Sequence, residues 1–442
     1  MQRISAFVSN KIYIFILLIV SCAFLSACFN QSVTCGNDAE NLSESDTAFL
    51  QEAKKNADSS YNEIHVIAVS ASGGYMLALL DDGTLLTWGG GYIREESSGE
   101  WVFSGRYVPT KILEDVIHAD VGLGHYIAIT SDGVLWAWGA NHLGQIGDGT
   151  FEKRELPAQI MENVTYAAIA PARSNAHAIA APRTYVITED GRLWAWGQCE
   201  YGDPVSILGD GTRRNRNIPV QIMENIISIE PTHDGGRAID KDGSVWWWGI
   251  NWYFDEASEH WSWHEIQLYP AKVYNTETVF VNRRGNVFDF EIDKDGALWA
   301  WGQNLAPGDW IIAPLVGDGT TEQRQEPIMV MENVRTVSVV ADTVFAITEK
   351  GHLYAWGYNS IGQLGDGTTE PRLSPVRIMD NVVYVTSTYH EDHRTIGFLN
   401  TFVITADGCL WGWGGHGFSP SIGDGSTEHR LSPVQILPVC ED

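Results

Sequence analysis

Residues 126–139 read Tyr126-Ile127-Ala128-Ile129-Thr130-Ser131-Asp132-Gly133-Val134-Leu135-Trp136-Ala137-Trp138-Gly139. Two apolar runs flank an Asp-Gly pair. That is a strong hairpin signal, because the turn needs a positive φ that glycine adopts without steric cost. The second run is apolar at successive rather than alternate positions, which predicts a strand buried on both faces. The closing Gly139 marks a place where a backbone passes too close for a side chain.

Outward from this stretch the pattern returns seven times. An Asp-Gly or Lys-Gly pair is followed, five residues after its glycine, by Trp-Gly. The tryptophans are Trp88, Trp138, Trp196, Trp248, Trp301, Trp356 and Trp413, at spacings of 50, 58, 52, 53, 55 and 57 residues. After each comes a segment that reads as a short strand opening on proline, at Pro109, Pro157, Pro219, Pro270, Pro327, Pro375 and Pro433. Proline is tolerated at a strand's first residue or on an edge. Another apolar run, such as Val164 to Ala170, leads to the next hairpin. Each unit thus supplies about four strands, one propeller blade, and buries its faces only by stacking on its neighbours. The expected fold is all-β: a seven-bladed β-propeller over residues 63–442, after a signal peptide (1–27) and a polar tether (28–62). Within the tether, Asp46 could cap a short helix over 47–55.

The best copies add Asn141-His142-Leu143-Gly144-Gln145-Ile146-Gly147-Asp148-Gly149-Thr150 and Asn359-Ser360-Ile361-Gly362-Gln363-Leu364-Gly365-Asp366-Gly367-Thr368. With the Asp-Gly and Trp-Gly signals, this unit resembles the regulator of chromosome condensation repeat family over roughly residues 64–438. The resemblance implies a seven-bladed propeller. The family's nuclear members exchange nucleotide on a small GTPase and touch chromatin. An exported, strongly acidic chain meets neither partner, so that activity is not carried over. The family fold also occurs in a secreted bacterial inhibitor of β-lactamases that binds its enzyme through aromatics at one end, which raises the expectation of protein binding.

The Gly-Asp-Gly-Thr/Ser turn occurs at Gly147, Gly209, Gly317, Gly365 and Gly423 and is missing from the first and fourth units. The fourth has instead Asn251-Trp252-Tyr253-Phe254-Asp255-Glu256, then His260-Trp261-Ser262-Trp263-His264. So many aromatics in a connecting loop are costly to leave exposed, and aromatic anchors are what interfaces use. Candidate binding residues are therefore Trp252, Tyr253, Phe254, Trp261, Trp263 and His264. The non-repeating Trp101, with Phe103 and Tyr107 in the first unit, and Trp310 in the fifth join them. The alternative is a loop that packs on itself. The Trp-Gly tryptophans, repeated at one blade position, read as inter-blade packing. The Gly-Asp-Gly-Thr aspartates read as turn formers rather than calcium ligands. His390 and His393, like His260 and His264, have a spacing that can share a metal but read as solvated loop residues. Neither metal nor cofactor is expected.

At the N-terminus Arg3 and Lys11 precede an apolar run from Ile12 to Val20. The run is too short to span a bilayer and ends at Leu25-Ser26-Ala27-Cys28, the pattern of a signal peptide. The tetrapeptide resembles the lipobox of bacterial lipoproteins, which implies lipid on Cys28 as the first mature residue and a place in the cell envelope outside the cytoplasm. Removing residues 1–27 leaves 26 basic and 56 acidic residues, a net charge of −30. Such a surface repels nucleic acid and anionic lipid. Cys35 and Cys440 lie just outside the repeat array, and a disulfide between them would staple the ring. The alternatives leave them unpaired or joined to Cys199 or Cys409.

There is no Gly-x-Ser-x-Gly, no His-Glu-x-x-His and no glycine-rich phosphate loop opening a helix, so no catalytic residue is singled out. The functional expectation is a non-catalytic, protein-binding propeller on an exported lipoprotein, with a cell-wall glycan as a further partner class. The alternatives are an enzyme on wall polysaccharide or a small molecule, using a central pocket, and a structural surface scaffold.

Overall fold

The computed structural model describes residues 65–94, 101–122, 124–170, 182–198, 207–232, 235–255, 260–272, 288–302, 304, 315–340, 343–388, 400–415 and 422–437. Among these, 27 strands form seven antiparallel sheets, six of four strands and one of three. Each sheet is one blade and uses contiguous chain: 66–113, 116–161, 164–223, 226–272, 288–331, 334–379 and 382–437. The three-stranded sheet is blade 5, and the residues just before it lie outside the described set. So do the tether helix expected over 47–55, Cys28, and both cysteines of the expected staple.

The hairpin of residues 126–139 pairs His125–Thr130 with Leu135–Gly139. Its loop has three residues, with the Gly133 amide bonded to the Thr130 carbonyl at 2.9 Å and Gly133 at φ 79°. One left-handed glycine therefore suffices, as in hairpin loops closed by a glycine bulge. The prolines do not open the fourth strands as expected. Arg154–Met161 starts three residues before Pro157, and its register skips between the partners Ala137 and Gly139. Proline sits at the bulge of an edge strand, where no ladder hydrogen bond is lost.

Among the described residues, the first strands of neighbouring blades touch one another, including those of blades 7 and 1, so they form the inner wall. Fourth strands such as Arg154–Met161 carry the most exposed residues and lie outermost. Core clusters join adjacent blades: Ile127 and Leu135 of blade 2 pack with Val164, Val186 and Trp196 of blade 3. The Trp-Gly tryptophans fill these seams. Trp88, Trp138, Trp196, Trp248, Trp356 and Trp413 are buried, while Trp301 is half-buried. Four of them donate from Nε1 to a carbonyl of the preceding blade: Trp196 to Gln145 at 3.0 Å, Trp356 to Leu315 at 2.8 Å, Trp413 to Gln363 at 2.9 Å and Trp88 to Ile422 at 3.0 Å.

The last of these bonds crosses from blade 1 to blade 7. The Val66 amide also donates to the Gly408 carbonyl of blade 7 at 2.9 Å. Blades 7 and 1 thus meet on the same contacts that join the other described pairs of neighbouring blades, and among the described residues no strand is exchanged between blades. The Val66–Gly408 bond recurs around the ring, as Val116 to Gly83, Val164 to Gly133, Ile226 to Gly191, Val334 to Gly296 and Val382 to Gly351. Beside it, Asp115, Asn163, Asn225, Asn333 and Asn381 take positive φ in the turns between blades, a conformation asparagine and aspartate tolerate best after glycine.

These bonds give all blades the same sense. The Asp-Gly hairpins and inter-blade turns form one end, and the connections from first to second and from third to fourth strands form the other. His65 enters at the hairpin end, where its carbonyl accepts from the Asp81 amide at 2.9 Å. The last strand ends there too, with Leu437 paired to Leu410.

Candidate binding face at the ribbon end

In five blades a Gly-Asp-Gly-Thr/Ser turn links the third strand to the fourth, and its aspartate organises the connection. The Asp148 carboxylate accepts from the Thr150 amide at 2.9 Å, the Thr150 hydroxyl at 2.7 Å, Arg154 Nε at 2.6 Å and Asn141 Nδ2 at 3.1 Å. Arginine recurs six residues after each aspartate: Asp210–Arg216, Asp318–Arg324, Asp366–Arg372 and Asp424–Arg430. The five aspartate side chains are only 2–9% exposed. Burial pushes the carboxyls of Asp148, Asp318 and Asp366 up, but hydrogen bonds from threonine and arginine outweigh it and hold each below the usual range. These oxygens are spent on the fold, as the turn-former reading expects. The repeated arginine was legible in the sequence as a fixed offset of six and was missed.

The second glycine of each turn ties it to the next blade. Gly149, Gly319 and Gly367 amides donate to the Asn217, Leu373 and Leu431 carbonyls. Two further members of this series donate into blades 4 and 1: Gly211 to Leu268 at 3.0 Å and Gly425 to Tyr107 at 3.3 Å.

Blades 4 and 1 carry what replaces the turn. In blade 4 the sequence reads as a connecting loop, but there and in blade 1 the segments continue the sheet. In blade 1, Leu85–Arg94 pairs with Trp101–Leu113, and in blade 4, Val245–Asp255 pairs with His260–Lys272. Each is a two-stranded ribbon running beyond the blade, with its base held by the preceding blade. Trp252 is the register partner of Trp263, and Phe254 of Trp261. Because strand positions alternate between faces, these four share one face of the ribbon. Tyr253, Asp255, His260 and Ser262 share the other. In blade 1, Tyr92 pairs with Phe103 and Arg94 with Trp101, again on one face. The alternation His260-Trp261-Ser262-Trp263-His264 was the available signal for a strand, masked by the density of aromatics.

Both ribbons leave the third strand at the same end, opposite the entry of the chain at His65. The structure thus brings the strands that carry Trp101, Trp252, Tyr253, Phe254, Trp261, Trp263 and His264 to one end of the propeller. Trp310 and the histidines His390 and His393 lie outside the described residues.

The regulator of chromosome condensation (RCC1) repeat model matches residues 132–180 and 350–388, and a second RCC1 repeat model matches 116–145. The ultraviolet-B receptor UVR8 of Arabidopsis thaliana is 26% identical over 318 residues, 68% of this chain and 66% of the receptor. The human E3 ubiquitin-protein ligase HERC2 is 25% identical over 249 residues, 53% of this chain but 5% of the ligase. The chain therefore spans just under two thirds of one relative and a small part of the other. Among solved structures, Prp20p of Saccharomyces cerevisiae, described with its binding to Gsp1p and histones, is similar at 16% identity and a TM-score of 0.49, covering 80% of this chain and 86% of that one. Repeat models match blades 2, 3 and 6, and the same unit builds all seven sheets, so the chain carries regulator of chromosome condensation repeats.

Proposed function

We propose that this protein is a non-catalytic binding propeller that engages a partner protein through its ribbon end, displayed outside the cytoplasm on a lipid attached to Cys28. One observation carries the reading. The two blades that lack the shared turn each extend a β-ribbon that gathers several aromatic positions on one face, Trp252, Phe254, Trp261 and Trp263 in blade 4 and Tyr92, Phe103 and Trp101 in blade 1, and both ribbons leave the same end. Aromatic side chains supply large contact area at low entropic cost, which makes them the usual anchors of an interface. A chain tethered at the hairpin end would present the ribbons away from the membrane. A cell-wall glycan remains a second ligand class, since sugar rings also stack on aromatics.

The test compares the wild-type protein with a Trp252→Ala, Trp261→Ala, Trp263→Ala variant in recovery of partners from cell-surface extract. The variant is expected to keep its unfolding midpoint and lose the partners at least tenfold, on the order of the two or more kcal/mol that interface hot spots carry. Equal recovery by a folded variant would refute the placement. For the anchor, mass spectrometry of the membrane-derived protein is expected to find acyl chains on Cys28, and Cys28→Ala protein should leave the membrane fraction. Retention of that variant would count against the lipid.

A further inference from the structure

The hairpin end has its own features, which the ribbon reading does not use. The second residue of each described first strand is skipped by the register, as at Ile67 between Val66 and Ala68, so it stands out of the ladder as a bulge. In blades 7, 1, 2 and 4 this residue is Val383, Ile67, Ile117 and Ile227, between 44% and 58% exposed. In blade 6 it is Arg335, whose Nη2 reaches the Val383 carbonyl at 3.1 Å. The position in one blade is therefore within reach of a long side chain at the same position in the next. Val383, Ile67 and Ile117 thus place an exposed apolar side chain at the same position of three consecutive blades, an apolar arc on the hairpin end.

Acids surround the arc. The seven three-residue hairpin loops hold nine acidic residues and three lysines, and the five described turns between blades hold six acids and no base. Next to the arc, where the end of blade 1 meets the hairpin of blade 2, lies a cavity of about 660 Å³. Its walls include Ile112, Leu113, Asp115, Asp132 and Trp136. Thr130 Oγ1 accepts from the Trp136 indole at 3.3 Å and donates to Asp132 at 2.6 Å, which fixes the ring beside the carboxylate. Lys111 is taken by Glu114, and among the described residues no cation pairs with Asp115 or Asp132. No three metal-ligating side chains converge among the described residues. The acids are spread too widely for a metal ion, but suit a cation of several atoms lying along an indole.

We propose that this face of blades 1 and 2 docks a basic, apolar-flanked segment of a partner protein, which places a lysine or arginine side chain in the cavity and an apolar side chain on Ile67 and Ile117. Charge selects that occupant. Nucleic acid and anionic lipid are repelled. The chain's own residues 28–64, with seven acids and two lysines, are repelled as well. The apolar arc separates a protein segment from a free small cation, which would leave the arc uncovered.

Calorimetric titration of the full chain with three synthetic peptides of equal length, alternating Lys/Leu, Lys/Ser or Glu/Leu, tests this. The Lys/Leu peptide is expected to bind, and to weaken several-fold as salt rises from about 50 to 200 mM. Ile67→Ser with Ile117→Ser, and separately Asp132→Asn with Trp136→Leu, should each weaken it about tenfold, while the ribbon triple variant should bind unchanged. The arc variant alters only exposed side chains, so it remains informative if Trp136→Leu lowers the unfolding midpoint. Equal binding of the Lys/Ser peptide would reduce the face to a diffuse acidic surface and overturn the proposal. So would wild-type affinity in both double variants, or no binding of the Lys/Leu peptide at millimolar concentration.

Discussion

Replacing Gly139 with alanine is expected to destabilise the protein by about 3–4 kcal/mol. Gly139 closes the Trp-Gly strand of blade 2 at φ 99°, and an added Cβ would lie 2.3 Å from the Gly124 carbonyl oxygen and 3.0 Å from the His125 Cα. Both neighbours are backbone, so no side chain can swing aside. The left-handed conformation costs an alanine roughly 1–2 kcal/mol, and relieving the overlap by moving a strand costs roughly 1–3 more. Gly243 provides the control. It has φ 78°, and a Cβ added there would meet nothing within 4 Å, so Gly243→Ala should cost only the conformational share. Urea unfolding of the two variants at unchanged slope measures the difference. Equal losses would show that close approach does not explain the repeated glycine.

Asp366→Ala is expected to cost about 2–3 kcal/mol at neutral pH. Its carboxylate joins Thr368, Arg372 and Asn359. Removing one member of a buried pair usually costs more, but the Arg372 side chain is 35% exposed and recovers part of its hydration. The loss should depend on pH. Burial pushes this carboxyl up, yet the bonds from Thr368 and Arg372 win and hold it below its usual value. A group depressed in the folded state contributes fully above its unfolded pKa, near 3.9, and loses that contribution as pH falls through the folded value. The gap between wild type and variant should therefore narrow at pH 3, and a constant gap would sink the assignment. His125 acts in the same direction from higher pH. Its ring is buried with neither nitrogen bonded, and burial lowers its pKa to about 3. Its share of stability is full above the unfolded value near 6.5 and lost as pH falls towards 3.

The blade was legible because its signals are local and repeated. Asp132-Gly133 marks a turn that only a positive φ can make, and Trp138-Gly139 marks a buried strand whose end meets another backbone. Seven copies turn each weak local signal into a strong one. The outer strands were placed less well, because proline was read as a strand opener, whereas Pro157 sits inside an edge strand at a bulge. That distinction depends on which ladder positions face a partner, and only pairing with Leu135–Gly139 decides it. The site was half legible: the aromatic residues of units 1 and 4 stood out as departures, but Trp252, Phe254, Trp261 and Trp263 read as a loop rather than two paired strands.

By itself the sequence determined the blade, its number and the buried role of its tryptophans, since these rest on φ, strand periodicity and repetition within about fifty residues. The tertiary structure alone decided which positions share an end. That depends on the common sense of all seven blades, fixed by bonds such as Val164 to Gly133 and Val66 to Gly408. Residues far apart in the chain, such as Val383, Ile67 and Ile117, come to lie on consecutive blades only when the ring closes, because closure brings first strands side by side whatever their separation in sequence.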